Sequence, residues 1–334
     1  MIRATMSQDL RTADSSPPGG GSRALLAGLI DYAGLFPPAE LPMAEAFARF
    51  LAHRRSDAGW VLARFICPAT RFGELEPLLA GTEPLPAPLR IAALGRSGPT
   101  LEEFKAGVDA DAAAIEAFGA RQRERAVVDA CELRLPAAGG VALAVEHAWR
   151  RLGGGASGPV LSFEVSLLGE WRPRLPAAAA ALRDTARASG RRRRLGLKIR
   201  CGGPDAAAIP EPLAVAAAIA TCRAVGVPLK ATQGLHQPFR HRDPQLGVEV
   251  HGFLNLLTAS VLALVHDLPV TELNAIVAET DPGAFRLGGD EIGWRDHRAD
   301  AAGIAAARER LLTGFGSCRF AEPRDELRAL ALID

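Results

Sequence analysis

The chain has 334 residues, 48% of them hydrophobic and 23% charged, a composition typical of a globular protein with a large core. Its formal net charge of +1 provides no overall field to attract nucleic acid or an anionic membrane surface, so we expect neither as a partner. The five cysteines contain no CxxC pair and the N-terminus has no apolar leader, which favours a cytoplasmic protein without a disulfide framework or a thiolate zinc site.

Residues 1–22 are polar and end in a Pro-, Gly- and Ser-rich run, which predicts a flexible tail. Beyond them, short apolar runs alternate with Ala-rich stretches, the pattern of repeated βα units. The predicted strands are 25–33, 60–68, 90–95, 126–135, 160–165, 195–201, 227–232 and 248–254. Eight such strands predict a (β/α)8 (TIM) barrel over residues 23–280, with an open doubly wound sheet as the alternative.

Helical patterns separate these strands. The predicted helices cover 43–56, 100–120, 141–152, 177–189 and 212–225. Thr100 and Glu103 have the spacing of a capping box at the start of the second helix. Residues 233–244 are too rich in Pro, Gly and charge for a helix, so we expect a long loop there.

Residues 281–334 are predicted to form a C-terminal extension packed on the barrel. A hairpin around Gly288–Asp290 is expected, followed by a helix over 300–312 and a short helix after Pro323. Such an extension could act as a cap or as the contact surface of a homodimer.

The strands of the second half of the barrel carry charged side chains on one face. Lys198 and Arg200 share a face of their strand, while the apolar residues share the other. In a barrel the apolar face contacts the helices, so the charged face points into the interior. The same alternation predicts further inward side chains on the neighbouring strands: Glu132, Arg134, Ser162, Glu164, Lys230 and Thr232. Buried charges are costly, so these groups either pair in an internal salt-bridge network or surround a polar ligand.

Lys198 and Lys230 lie on consecutive strands and are therefore candidates for paired catalytic lysines. Two lysines close together lower each other's pKa, and a neutral amine attacks a carbonyl carbon to form a Schiff base. Each lysine is followed, four residues later, by a glycine that opens a loop, in Lys-Ile-Arg-Cys-Gly-Gly and Lys-Ala-Thr-Gln-Gly. This arrangement is typical of a class I aldolase.

Residues 195–235 resemble the deoxyribose-phosphate aldolase group of class I aldolases, whose barrels have paired lysines on strands six and seven before Gly-containing loops. The resemblance implies that Lys198 forms the Schiff base and that Lys230 tunes its pKa. It also implies a carboxylate relay, for which Glu132 or Glu164 is the positional candidate. The chain departs from that group in its long 233–247 loop and its C-terminal extension.

The chain as a whole resembles a group of bacterial barrel proteins with segments similar to IDYAGLFPPA (30–39), LKATQGLHQPFRH (229–241), HGFLN (251–255) and GFGSCRFAEP (314–323). No activity is assigned to that group, so this resemblance implies a family but no mechanism. Its members often have two adjacent histidines where this chain has His236-Gln237, which disfavours a metal clamp at that point.

The loop after the seventh strand is a second candidate region, since barrels commonly bind phosphate or carboxylate there. The candidates for binding substrate or anion are Arg200, Thr232, Gly202, Gly203, His236, Arg240, His241, His251 and Asn255. Divalent metal binding by the histidines is an alternative, although HxxxxH across a proline is not a strong ligand spacing. Solvated loop residues are a further alternative.

Asp31 at the end of the first strand is a candidate acid, base or metal ligand at the barrel mouth, or a cap of the turn that follows. Arg64 is expected to pair with a neighbouring carboxylate. No GxGxxG or GxxxxGK[ST] motif is present, so we expect no nucleotide cofactor.

The sequence therefore predicts a class I aldolase-like lyase without cofactor, acting on a small oxo-acid or phosphorylated carbonyl compound. Lys198 is the predicted nucleophile, Lys230 its neighbour, and a carboxylate moves protons. One alternative is a metal-dependent barrel enzyme that uses His236, His241 or His251 with Glu164. The other is a noncatalytic small-anion-binding or assembly protein.

Overall fold

The computed structural model of the protein describes residues 20–83, 85–153, 158–190 and 194–334. Most of the predicted flexible tail, residues 1–19, lies outside the described residues. Residues 20–22 already belong to the first helix, so this end of the tail prediction is wrong. The helix is held by a distant hairpin, because the backbone amide of Gly21 donates to the Asp290 carboxylate over 2.9 Å.

Thirteen strands occur in the described residues. They are β1 (Ile30–Tyr32), β2 (Leu62–Pro68), β3 (Leu89–Leu94), β4 (Ala126–Arg134), β5 (Val160–Glu164), β6 (Leu195–Arg200), β7 (Leu229–Thr232), β8 (His241–Arg242), β9 (Glu249–Val250), β10 (Phe285–Gly288), β11 (Glu291–Trp294), β12 (His297–Asp300) and β13 (Leu312–Ser317).

Eleven α-helices occur in the same part of the chain. They are α1 (Gly20–Leu26), α2 (Met43–Arg55), α3 (Phe72–Ala80), α4 (Leu101–Gln122), α5 (Val141–Ala148), α6 (Trp171–Ala188), α7 (Pro212–Val225), α8 (Phe253–His266), α9 (Val270–Ala278), α10 (Ala301–Arg310) and α11 (Ala321–Ala329). The predicted helices coincide with α2, α4, α5, α6 and α7, and the Thr100–Glu103 capping box at the start of α4 is confirmed.

Eight of the strands close into a parallel barrel in the order β1-β13-β7-β6-β5-β4-β3-β2. The (β/α)8 prediction is therefore confirmed, and the open sheet is excluded. Strands β1 to β7 fall on the predicted segments to within a few residues. The exception is the start of β1, because Leu25 and Leu26 are part of α1.

The prediction of the eighth strand is wrong. Within 248–254 only Glu249–Val250 is extended, and it pairs antiparallel with β8 outside the barrel. The apolar run that follows forms α8, which is buried over most of its length. The barrel is instead closed by β13, between β1 and β7, so it does not end at residue 280 and part of the predicted 281–334 extension belongs to it.

The remaining part of the predicted extension forms a small antiparallel sheet. The hairpin of β10 and β11 around Gly288–Asp290 is confirmed, and β12 adds a third strand. This sheet packs against α8, and α10 follows it as expected over 301–310. The chain then returns to the barrel through β13 and ends with α11.

Among the described residues, one helical stretch, 206–225, is long and apolar enough by length and composition to cross a membrane. Most of that stretch is α7, which packs against α6, α8 and α9 in the outer layer of the barrel. Core helices of soluble proteins pass the same test, so it is weak evidence for a membrane span.

The two faces of the barrel strands differ in polarity. Their outward face packs against the helices in the main hydrophobic core, as where Phe65 of β2 contacts Phe47 and Phe50 of α2. Inside the barrel, the β2–β4 side has a small apolar cluster that includes Ile66 and Ala92. The β4–β7 side carries the buried charges.

Candidate active site

The inward side chains of β5, β6 and β7 stand side by side, as the alternation predicts. Glu164 is in register with Lys198, and Lys198 with Lys230. Together with Glu132 of β4, these side chains are buried, with exposed fractions between 2% and 7%. The alternation of side chains along the strands therefore correctly predicts that these four charged groups lie inside the barrel.

Glu132 lies between the two lysines. The Lys198 amine is 2.6 Å from Glu132 Oε2, and the Lys230 amine donates to Glu132 Oε1 over 2.5 Å. The two ammonium groups thus share one carboxylate, one on each oxygen. This contact brings the two predicted catalytic lysines into the same cluster.

Each lysine has a second carboxylate partner, so the charges alternate along a chain. Lys198 is 3.0 Å from Glu164 Oε2. Lys230 donates to Oδ2 of Asp31, which is buried on β1. The order Asp31, Lys230, Glu132, Lys198, Glu164 crosses the barrel interior, and we call these five residues the charge cluster.

The cluster changes the ionisation of its members. Burial alone would raise the pKa of Glu132, but the charges of Lys198 and Lys230 outweigh it and lower that pKa to about 2. The pKa of Glu164 is lowered in the same way by Lys198 and by nearby arginines. Burial would lower the pKa of Lys230, but Asp31 and Glu132 raise it. Lys230 is therefore a cation at neutral pH.

Two arginines join the cluster at the carboxyl ends of the strands. Oε1 of Glu164 accepts from Arg200 Nε over 2.8 Å and from Arg134 Nε over 3.0 Å. Arg200 also reaches the Gln233 side chain at 3.4 Å. The two arginine side chains are 42% and 53% exposed, so they form the solvent-facing rim of the site.

A second ion-pair group lies toward the amino ends of the strands. Arg64 donates to Asp129 over 2.7 Å, which confirms the predicted carboxylate pairing of this arginine, and Arg90 contacts the same carboxylate. Arg64 Nη1 is 3.6 Å from Asp31 Oδ1, beyond hydrogen-bonding distance. That oxygen is buried and accepts no hydrogen bond from the described residues.

The glycines after β6 and β7 allow two mouth loops to touch. A Cβ on Gly202 would lie 2.8 Å from the Cα of Gly234, whose φ of +70° is itself in the left-handed region. A Cβ on Gly203 would lie 2.4 Å from that of Ala208. The predicted substrate-binding glycines thus set the path of the loop directly after Lys198.

Two of the predicted loop histidines, His236 and His241, are partly buried and have their contacts outside the charge cluster. His236 is 28% exposed, with Nδ1 2.8 Å from Glu322 of α11, although the two atoms are not aligned for a hydrogen bond. His241 is bonded through Nδ1 to the carbonyl of Phe239. Neither histidine has a contact with the lysines.

His251 and Asn255, two further predicted ligand-binding residues, are buried in the protein interior. His251 is fully buried between the Pro210 carbonyl and the guanidinium of Arg240, and its pKa is lowered to about 4, mainly by burial. The Asn255 amide donates to the Ile276 and Glu279 carbonyls, and its oxygen accepts from the Arg240 backbone amide. These hydrogen bonds already occupy the polar atoms that a ligand would require.

The metal-dependent alternative gains no support from the described ranges, which contain no group of three or more His, Cys, Asp or Glu side chains placed to hold an ion. The carboxylates that do converge are separated from one another by ammonium groups. A cation would have to displace both lysines.

The sequence prediction missed the contribution of the eighth strand. Gly316 of β13 lies beside Thr232, so that a Cβ there would be 2.9 Å from Thr232 Oγ1 and 3.3 Å from Ile66. Gly316 therefore keeps the interior open next to Asp31, its register partner on β1. A signal in the sequence that could have drawn attention to this strand is the expected resemblance of segment 314–323 to the bacterial group.

No family model and no curated protein matches the sequence. Among solved structures, the chain is similar to cellobiohydrolase II (Cel6A) from Humicola insolens in complex with glucose and cellotetraose. The match has 12% identity and a TM-score of 0.34, and it covers 67% of this chain and 77% of that chain. So low a similarity carries no argument about chemistry.

Proposed function

We propose that the protein is a class I aldolase-like lyase that forms a Schiff base between Lys198 and a small oxo-acid or phosphorylated carbonyl compound. The observation that carries this proposal is the shared Glu132 carboxylate, which holds Lys198 and Lys230 together in one buried site. A nucleophilic lysine needs such a neighbouring cation and a carboxylate that moves its proton.

Lys198 is the better candidate for the nucleophile because its second carboxylate partner lies next to the solvent-facing rim of the site. Glu164 connects Lys198 to the half-exposed arginines of the rim. Asp31, the second partner of Lys230, lies 3.6 Å from Arg64, whose side chain is only 19% exposed. A carbonyl compound that enters between the loops would therefore meet Lys198 first.

Lys230 has the complementary role of a fixed cation. Its raised pKa keeps it charged between Asp31 and Glu132. With Lys230 held as a cation by its two carboxylates, we assign the role of nucleophile to Lys198, whose second partner Glu164 contacts the rim arginines.

The proposed reaction begins when the Lys198 ammonium transfers a proton to Glu164. The free amine then attacks the carbonyl carbon, and the returned proton allows the carbinolamine hydroxyl to leave as water. The resulting iminium accepts the electron pair of the adjacent C–C bond when that bond breaks. Glu164 takes the hydroxyl proton of the departing carbonyl fragment as the bond breaks and returns it to the enamine carbon. Water then adds to the iminium carbon, and its hydrolysis releases the second product and the Lys198 amine.

The test is borohydride reduction in the presence of small aldehydes, ketones and oxo-acids, followed by intact-mass measurement. We expect one stoichiometric adduct on the native protein. Lys198→Arg should abolish it, because arginine keeps the positive charge beside Glu132 and Glu164 but is no nucleophile. Lys230→Arg is the matched control and should still form the adduct, more slowly.

An adduct that persists in Lys198→Arg would overturn the assignment of the nucleophile. The absence of any adduct with a folded native protein would overturn the lyase proposal and favour a noncatalytic anion-binding role.

A further inference from the structure

We infer that the substrate is a 2-oxo acid whose carboxylate takes over Arg134 and Arg200 from Oε1 of Glu164, while Oε2 of Glu164 stays beside Lys198. This inference rests on the proposed Schiff-base chemistry of Lys198 and narrows its substrate class. The rim arginines are thereby assigned a binding role that excludes phosphorylated carbonyl compounds as the preferred substrates.

The geometry of Glu164 carries the inference. One of its oxygens accepts from both guanidinium groups, at 2.8 and 3.0 Å, and the other is 3.0 Å from the Lys198 amine. A single carboxylate thus spans the whole gap between the arginines and the nucleophile.

The short distance between the arginines and Lys198 limits which carbonyl compounds can react there. In a 2-oxo acid the carboxylate is attached directly to the carbonyl carbon, so an anion on the arginines places the electrophilic carbon beside Lys198. In a phosphorylated carbonyl compound, at least one carbon and the ester oxygen separate the phosphorus from the reacting carbon. Its phosphate on the arginines would place the carbonyl beyond the amine.

The charge balance at the rim also favours an incoming anion. Arg134 and Arg200 share one oxygen of one carboxylate, and both side chains are about half exposed. Guanidinium groups bind carboxylates through paired, charge-assisted hydrogen bonds, and these arginines have N–H groups that Glu164 does not use.

Release of Glu164 from the two arginines would prepare the reaction. Its low pKa depends on Lys198, Arg200 and Arg134 together. When a substrate carboxylate takes over the two guanidinium groups, that pKa rises and Glu164 accepts the Lys198 proton more readily. Only a substrate with a carboxylate next to its carbonyl then activates its own nucleophile.

The first measurement compares the borohydride trapping of pyruvate, 4-oxopentanoate, dihydroxyacetone phosphate and acetone on the native protein. We expect pyruvate to be trapped at the lowest concentration. Arg134→Gln and Arg200→Gln should each lower the ratio of pyruvate trapping to acetone trapping about 10- to 100-fold, because only pyruvate has the carboxylate that the arginines bind. Arg121→Gln, which removes a surface arginine paired with Glu76, is the matched control and should change neither.

The second measurement is calorimetric binding of oxamate, an unreactive analogue with a carboxylate next to an amide carbonyl. Oxamate binding that is lost in both Arg134→Gln and Arg200→Gln supports the carboxylate site. If oxamate binds in this way but no compound is trapped, the Schiff-base function fails and the carboxylate site stands. Trapping that shows no preference for pyruvate, with no effect of the rim variants, overturns the 2-oxo acid inference and leaves the function standing.

Discussion

Lys198 and Lys230 face each other across β6 and β7, and each contacts a different oxygen of the Glu132 carboxylate. Two ammonium groups buried next to each other repel strongly unless an anion lies between them. Glu132 is 2% exposed and supplies that anion. Removal of this carboxylate would leave two buried ammonium groups without the partner that they share.

Glu132→Gln should destabilise the protein by about 3–5 kcal/mol, because it leaves two buried cations without their shared partner. The measurement is the free energy of unfolding from urea titration at pH 7. Glu76→Gln, which breaks the surface pair with Arg121, should have a much smaller effect. Equal losses in the two variants would show that Glu132 has no special role.

Acid should weaken the folded protein through the same residue. The pKa of Glu132 is about 2 in the folded state, against 4.5 for an ordinary glutamate, so the unfolded chain binds the proton first. The stabilisation from this ionised carboxylate is complete above about pH 5 and is lost as the pH falls toward 2. Glu164, whose pKa is also lowered, acts in the same direction.

The measurement that isolates Glu132 is the unfolding free energy of native protein and Glu132→Gln at a series of pH values between 7 and 3. The difference between the two should shrink as the pH falls, since glutamine has no proton to gain. A difference in unfolding free energy that stays constant over this pH range would contradict the lowered pKa of Glu132.

Gly202→Ala should distort the mouth of the barrel. The added Cβ would lie 2.8 Å from backbone atoms of Gly234, so one loop has to move, at a cost of about 1–3 kcal/mol. We expect adduct formation on Lys198, four residues earlier, to slow as well. Gly119→Ala is the control: it lies in α4 with open space around it, and alanine there should stabilise the helix by about 0.5–1 kcal/mol.

Much of the charge cluster could be predicted from the sequence, because strand alternation decides which side chains face inward. Glu132, Glu164, Lys198 and Lys230 follow from that rule alone. The pairing of Asp31 with Lys230 does not, since the two residues are 199 positions apart and meet only when the barrel closes. Which carboxylate lies between the lysines depends on the stagger of the strands, which no local pattern encodes.

The eighth strand was missed for a local reason. Its sequence, Leu312–Ser317, contains Gly314 and Gly316, and glycine in a strand weakens the alternating apolar pattern by which strands are found. The structure requires both glycines, because a Cβ on Gly314 would lie 2.6 Å from the Leu29 carbonyl oxygen and one on Gly316 would press on Thr232. The two glycines that allow β13 to fit into the barrel therefore also make this strand hard to recognise in the sequence.

Asn255→Ala should affect stability and leave ligand binding unchanged. The substitution leaves the Ile276 and Glu279 carbonyls and the Arg240 amide without their partner, which costs about 1–3 kcal/mol or more. Urea unfolding and oxamate calorimetry measure the two effects separately. Asn274→Ala, at a partly exposed position on α9, is the control and should change neither. A loss of oxamate affinity in a stable Asn255→Ala protein would instead support its predicted role in binding.

A chain that ends at residue 280 should fail to fold. It keeps seven barrel strands but lacks β13, so β1 and β7 lose their common neighbour and expose unpaired backbone groups along both edges. We expect an aggregated or partly ordered product without a cooperative urea transition, measured by circular dichroism and gel filtration. Co-expression with residues 281–334 as a separate chain should recover folded protein, because it returns β13 to the gap. A soluble 1–280 chain with a cooperative transition would show instead that the barrel does not need its eighth strand.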